Sequence, residues 1–343
     1  MSNYVPYHVH SDYSLLDSCT NFQDYVDKAV ACGMPAIAFS EHGKLSGWVK
    51  KKQYCDKKGI KYIHAVEVYI TEQLEPKVRD NYHTVLIAKN LAGVKELNAM
   101  ISKSFDEQHF YYTNRISIDE FLSLSSNIIT TSACLASPLN KLDPAHEKYE
   151  ALVKRYDYLE IQAHALQEQI DFNVHLACLA AQYGKPLIAG TDTHSLNPYK
   201  ADCRKLLLKR KHKSYGDEDA LDMIFKTYDE LVDAFQDQGA LPKNLYMEAI
   251  RNTLAMAEQV ESFDLDTSLK YPILYGSREK DHERLVEMIE RKFREKIASG
   301  AITEEQIPNF RAAIDEELRV FTKIQMDGLA IALTMRKHCA NTH

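Results

Sequence analysis

Residues 4–17 read Tyr4-Val-Pro-Tyr-His-Val-His-Ser-Asp-Tyr-Ser-Leu-Leu-Asp17. His8 and His10 are two apart, and on a strand side chains at i and i+2 share a face. The two imidazoles therefore converge at the spacing a metal-binding pair needs. Neutral imidazole is a ligand for zinc, iron, manganese and similar ions. Asp17 adds a hard oxygen donor a short way downstream. A surface strand with two unrelated histidines would explain this stretch as well. The decision rests on whether partners stand at the ends of other strands.

Strand patterns recur along the chain, each followed by a helical stretch. Residues 4–9 are the first. Residues 22–32 read as a helix with Phe22, Tyr25, Val26, Ala29 and Val30 on one face and Gly33 as its stop. Strand 35–40 ends in Glu41-His42-Gly43, and a lysine-rich helix over 46–58 is closed by Gly59. Strand 61–70 carries Glu67 and strand 82–88 carries His83. Residues 91–101 are amphipathic, and Ser117-Ile-Asp-Glu120 is a capping box. Strand 127–132 leads to Cys134, and strand 156–162 leads to His164 and a helix over 168–183 that ends at Gly184. The seventh strand, 186–190, runs into Thr191-Asp-Thr-His194. Seven strands alternating with helices predict a parallel α/β fold of barrel type, with chemistry at the C-terminal ends of the strands. His42, Cys134, Asp192 and His194 fall there, and chance explains such a set far less well than a single pair.

A chain of 343 residues suits one large domain with an appendage, or two domains. Residues 218–262 read as two or three helices and Pro272 as a break. Two charged amphipathic helices over 281–299 and 303–327 are separated by Gly300 and an N-cap Thr303, and a polar tail covers 337–343. With a net charge of −7, nucleic-acid binding would need a local basic patch. The seven cysteines (19, 32, 55, 134, 178, 203 and 339) are scattered and form no CxxC pair, which points to a reducing cytoplasm and not to a disulfide framework. The N-terminus lacks a signal-peptide pattern and no run of 18 apolar residues exists, so no membrane span is expected.

Taken together, these motifs resemble the PHP (polymerase and histidinol phosphatase) superfamily, most closely the N-terminal PHP domain of bacterial replicative polymerase alpha subunits. His8-Val-His-Ser-Asp-Tyr-Ser-Leu-Leu-Asp17 is similar to the family's HxHSxYSxLD, and Glu41-His-Gly-Lys-Leu-Ser-Gly47 to DHGNxxG. Gly59-Ile-Lys-Tyr-Ile-His-Ala-Val-Glu-Val-Tyr69 resembles GIKPIxGxExY. His83-Thr-Val-Leu-Ile-Ala-Lys-Asn90, with Gly93 and Leu97, resembles HxxLLAxNxxGxxNL. Thr131-Ser-Ala-Cys-Leu-Ala136, Glu160-Ile-Gln-Ala-His164 and Thr191-Asp-Thr-His194 complete the set. The resemblance implies a distorted (β/α)7 barrel over residues 1–275. A helical extension over 276–343 would resemble the start of a polymerase palm. It implies up to three divalent metals, with donors that suit zinc, manganese or iron better than calcium. His8, His10, Glu67 and Asp192 would hold one; Glu67 would bridge to a second bound by His83 and Cys134; Asp17, His42 and His194 would hold the third. Cys134 in place of a histidine resembles the polymerase branch. Glu41 and Lys44 replace the family's usual Asp and Asn; neither is a ligand position, so altered contacts around the ligands are expected and not loss of metal.

The implied activity is metal-dependent phosphoester hydrolysis, as a 3′–5′ exonuclease on single-stranded or frayed DNA ends, with a metal-bound water held by Glu67 and Asp192. Arg115 would clamp a phosphate or sit as a surface arginine. His164 would line the cleft or serve structure. The basic run Arg204–Lys213, with Lys209 and Arg210, would track a backbone or form a solvated helix face. Tyr111 and Tyr112 would stack bases or pack in the core. Replication proteins are expected partners for the C-terminal helices. No polymerase activity is expected, and Asp264-Leu-Asp266 reads as a solvated loop. Two other readings compete: a small-molecule phosphomonoesterase of the histidinol-phosphatase kind, and a non-catalytic polymerase scaffold.

Overall fold

Asn21 is extended and its side chain accepts the Asp24 amide, so the chain enters α1 (Phe22–Ala31) with Phe22, Tyr25, Val26 and Ala29 turned inward. The computed structural model describes residues 3–210, 221–268 and 270–340. After α1 come β1 (Ala36–Phe39), α2 (Trp48–Lys58), β2 (Lys61–Thr71), β3 (Tyr82–Ala88) and α3 (Leu91–Ser104). Gly59 ends α2 at φ 71°, the left-handed stop its position implied. Next are β4 (Ile116–Ser117), α4 (Ile118–Leu122), β5 (Ile128–Thr131), α5 (Pro138–Lys141), α6 (Tyr149–Arg155) and β6 (Leu159–Gln162). The Ser117–Glu120 capping box opens α4 as expected. Then follow α7 (Gln167–Tyr183), β7 (Leu187–Gly190), α8 (Pro198–Arg210), α9 (Tyr228–Gln238) and α10 (Lys243–Glu258).

The fold is mixed α/β, and it departs from an all-parallel barrel in two ways. β1 pairs with β2 in parallel, but β2–β3 and β3–β5 are antiparallel. The connection over residues 72–81 holds no helix, and a parallel return needs a longer crossover. Among the described residues the strands form a five-stranded and a two-stranded sheet, not one closed ladder. Residues 4–9, expected as the first strand, run extended without a regular ladder among the described residues: Val9 bridges to Thr193, and the Pro6 and Val9 carbonyls accept from the Ala38 and Ser40 amides. A second isolated bridge, Thr131–Tyr158, lies between β5 and β6.

One core runs under both sheets. Ala36 and Ala38, Ile63 and Ala65, Val85 and Ile87 are each two apart on their strands and meet Val5, Tyr7, Ile129, Ile188 and Met256. Fully burying each large aliphatic side chain contributes about 1.5–3 kcal/mol. The face that carries Ile63 and Ala65 continues to Glu67, and the face of Ile188 continues to Gly190 and on to Asp192.

Compactness divides the chain after Asp264, whereas the sequence reading ended its first domain at 275. The second unit, 265–343, contains α11 (Arg278–Ala298), α12 (Ile307–Ile324) and α13 (Asp327–Ala340). Helix thus replaces the first residues of the expected polar tail, and 341–343 lie outside the described residues. Buried Asp281 ties the turn before α11 by accepting the amides of Leu274 and Tyr275, at 3.0 and 2.7 Å. Asp266 is exposed and bonded to Ser268 and Lys270, as a solvated loop would be. No helix among the described residues is long and apolar enough to cross a membrane.

Candidate metal centre

His8 and His10 emerge from the extended N-terminal segment, which hydrogen-bonds to Thr193 on one side and Ser40 on the other. Both rings are fully buried. His8 Nε2 lies 3.2 Å from Glu67 Oε2 and 3.3 Å from Asp192 Oδ1; His10 Nε2 lies 3.1 and 3.2 Å from the same two atoms. Two imidazoles and two carboxylates thus face one point.

Antiparallel β3 explains how His83 joins them. Tyr69 pairs with His83 and Glu67 with Val85, so the beginning of β3 lies beside the end of β2. Glu67 and His83 become diagonal neighbours on one face, and His83 Nδ1 contacts Glu67 Oε1. Cys134 Sγ lies 3.6 Å from His83 Nδ1. On the other side Asp17 Oδ2 is 2.8 Å from His42 Nε2 and 3.2 Å from His194 Nε2. All nine side chains expected as ligands therefore converge. The donor atoms form three groups within 4.8 Å: His8, His10, Glu67 and Asp192; Glu67, His83 and Cys134; His10, His42 and His194. His10 enters the third group because its ring stacks on His42 and His194, at centroid distances of 4.1 and 4.3 Å.

Cations fit this arrangement. His10 Nε2, His42 Nδ1, Glu67 Oε1 and Asp192 Oδ1 are buried and make no well-formed hydrogen bond, which a bound ion would remedy. Ala133 and Asp192, beside and within the cluster, hold φ of 57° and 44°, strain of the kind that concentrates at functional sites.

The buried carboxylates and imidazoles shift one another's protonation. Burial opposes protonation of His8, but Glu160 and Asp192 outweigh it and hold the ring well above its usual pKa. Burial likewise opposes His42, yet Glu67 and Asp17 push it up to about 10. Burial resists ionisation of Asp17, and His194 and His42 overcome it, holding the carboxyl well below its usual range. Burial, then Asp192 and Glu67, raise the Cys134 thiol well above normal.

A surrounding layer orients the rings. Glu160 accepts from His8 Nδ1 at 2.6 Å and from Tyr7, Thr131 and Gln162. That bond fixes Nε2 toward the centre. Gly190 makes room for it: a Cβ there would lie 2.0 Å from Glu160 Oε1. Glu41 accepts from Ser11, from Ser14 at 2.5 Å and from Lys51 at 2.5 Å. Ser14 Oγ, its proton given to Glu41, accepts from His10 Nδ1 at 3.2 Å and from the His42 amide at 3.3 Å. Glu41 thus links Ser11, Ser14 and Lys51 around the cluster. Arg204 donates to Asp17 Oδ1 at 2.5 Å and to the Asp17 carbonyl at 2.6 Å, leaving Oδ2 for the histidines.

Residues 6–164 match the family model of the PHP domain. The chain carries a domain of the PHP family. Its curated relatives include DNA polymerase III subunit alpha of Borreliella burgdorferi, 32% identical over 285 residues, covering 77% of this chain and 24% of that protein. The subunit of the same name from Chlamydia pneumoniae is 29% identical over 326 residues, covering 79% and 25%. The chain spans about a quarter of the length of these relatives. A structural neighbour is histidinol phosphate phosphatase from Lactococcus lactis, complexed with zinc, L-histidinol and phosphate. It is 16% identical with a TM-score of 0.35, covering 62% of this chain and 95% of that one.

The cleft of this PHP domain holds about 560 Å³ and is bordered by Asp17, His42, His83, Cys134, Asp192 and His194. The expected substrate contacts fare differently. Arg115 is neither a surface residue nor a lining residue: it is buried, with Nη1 donating to the Val78 carbonyl at 2.7 Å. His164 is buried with both ring nitrogens lacking a hydrogen bond, and burial lowers its pKa to about 4. Gln162 and Leu166, on either side of it in sequence, form the cleft wall instead. Lys209 and Arg210 are exposed at the end of α8, and Lys211 to Lys213 lie outside the described residues. Tyr112 is exposed and lies under the Arg79 guanidinium at 4.5 Å, not in the core.

Proposed function

We propose that this PHP domain is a metal-dependent phosphoesterase that shortens single-stranded or frayed DNA from the 3′ end. The observation that carries the reading is the convergence of eight donor side chains in three groups, with Asp17 against His42 and His194; four of their buried polar atoms lack a hydrogen bond. His8, His10, Glu67 and Asp192 would hold one divalent metal, Glu67, His83 and Cys134 a second, and Asp17, His42 and His194 a third. Imidazole, carboxylate and thiolate suit zinc, manganese or iron. Such metals, when bound, supply Lewis-acid charge to a phosphoryl group and activate water.

The chain's own groups do the positioning. Glu160 and Ser14 orient His8 and His10, and Arg204 fixes Asp17. Glu67, shared between two groups, sets how far apart those groups stand. The β-strands around the core are proposed to form the distorted barrel of the family, with the metal groups at its mouth. The helices of the second unit are proposed to meet replication proteins.

The test is incubation with Mn²⁺ or Zn²⁺ and a 5′-labelled single-stranded oligonucleotide, beside an Asp192→Asn variant. A ladder shortening from the 3′ end, lost in the variant, is the expected result. A metal-loaded protein that hydrolyses a phosphomonoester and leaves DNA intact would replace this reading with a small-molecule phosphatase. One inert on every phosphate ester would replace it with a scaffold.

A further inference from the structure

Lys44 stands two residues after His42, between β1 and α2. Its side chain borders the cleft together with Asp17, His42, Tyr69 and Asn81. It is half-buried, and among the described residues its ammonium makes no ion pair and no hydrogen bond. The other lysine of the cleft wall, Lys141, is tied to Glu168 Oε1 at 3.0 Å. A partly desolvated ammonium without a counter-charge is unfavourable, and a substrate anion in the cleft would relieve it. Lysine is a compact point charge on a flexible stem, suited to a phosphate whose orientation varies. Asparagine at the same place would offer a neutral, shorter donor.

We propose that Lys44 binds the phosphate adjoining the scissile one on a single DNA strand. The proposal rests on the DNA-end reading, because a phosphomonoester has no second phosphate. It makes Lys44 a specificity residue that favours a chain of phosphodiesters over an isolated phosphate ester.

The test is binding of a 5′-fluorescent, phosphorothioate-linked tetrathymidylate to the Mn²⁺-loaded full chain over a range of NaCl concentrations. Loss of one phosphate contact should make the slope of log K against log salt shallower by about 0.7. Lys44→Ala and Lys44→Asn should show that change and bind roughly tenfold more weakly at low salt. Lys44→Arg should keep the wild-type slope. Fluorescence of Trp48, followed through a urea titration, verifies that the variants fold. If the wild type binds and Lys44→Ala keeps both slope and affinity, the proposal is overturned and the DNA-end reading stands. If the wild type does not bind the oligonucleotide, both fall.

Discussion

Replacing Lys51 by methionine leaves the buried Glu41 carboxylate hydrogen-bonded to Ser11 and Ser14 but without its ion-pair partner. The two side chains are about 2% exposed and their Nζ and Oε1 atoms are 2.5 Å apart. Methionine keeps most of the apolar stem, while the ammonium it removes also lies 4.8 and 5.0 Å from the centroids of the Tyr13 and Phe39 rings. The expected loss is therefore that of an orphaned buried charge, about 3–5 kcal/mol. For a unit of this size that corresponds to a fall in melting temperature of roughly 6–20 °C. Trp48, the chain's one tryptophan, opens α2 and packs edge-on against His64. Its fluorescence in a urea titration reports on the unit that holds the pair. The double variant Glu41→Gln/Lys51→Met should recover most of the loss, since a neutral pair leaves no buried charge. The pH dependence has a definite sign. Burial opposes ionisation of Glu41, but Lys51 and His10 outweigh it and hold its pKa below the model-compound value of 4.5. Its contribution is thus present above that value and is lost as pH falls through the lower folded pKa. In Lys51→Met the penalty should be largest near neutral pH and shrink in acid as Glu41 takes up a proton. A loss under about 1 kcal/mol at neutral pH would refute the reasoning, because it would place the pair among weak surface bridges.

Other outcomes follow from the same layer of contacts. Glu160→Gln weakens the acceptor of His8 Nδ1 and should reduce metal affinity about 10- to 100-fold in a chelator competition, with little change in fold. Gly190→Ala forces a methyl group against Glu160 Oε1 and should cost about 1–3 kcal/mol in urea unfolding while also lowering metal affinity. Because His8, His42 and Cys134 hold protons that metal would displace, binding at neutral pH should release more than one proton. Calorimetry in buffers of different ionisation enthalpy measures this, and affinity should fall as pH falls.

Much of the site was legible in the sequence because its donors stand where strands end, and alternation and length locate those ends. The convergence of His8 and His10 was legible even though their segment makes no regular ladder: an extended backbone alone gives the i, i+2 face. Glu67 read only as a residue of strand 61–70; its place beside His8 and His10 was implied by the family resemblance and not by the strand pattern. The antiparallel course of β3 was missed, although ten residues without a helix between β2 and β3 leave no room for a parallel crossover. That course is what brings His83, at the start of its strand, to the ends of the others. Glu160 was quoted only as part of a motif. Its position between Leu159 and Ile161 was a usable signal, since a carboxylate on a buried strand needs partners. Arg204 read as one more cation in a basic run; nothing in the local pattern separates it from Lys205 or Lys209, and only the tertiary approach of Asp17 does. Arg115 failed for the converse reason: a charged residue was expected to face solvent or substrate, and it is held inside by the Val78 carbonyl.

The central claim is that these side chains form one metal centre joined through Glu67, and metal content measures it most directly. Purified wild type, Glu67→Gln and Asp17→Asn would be compared by elemental analysis after dialysis, with folding checked by Trp48 fluorescence. Glu67→Gln, which touches two donor groups, should lose more metal than Asp17→Asn, which touches one. A folded Glu67→Gln protein that keeps the full wild-type metal content would contradict the account.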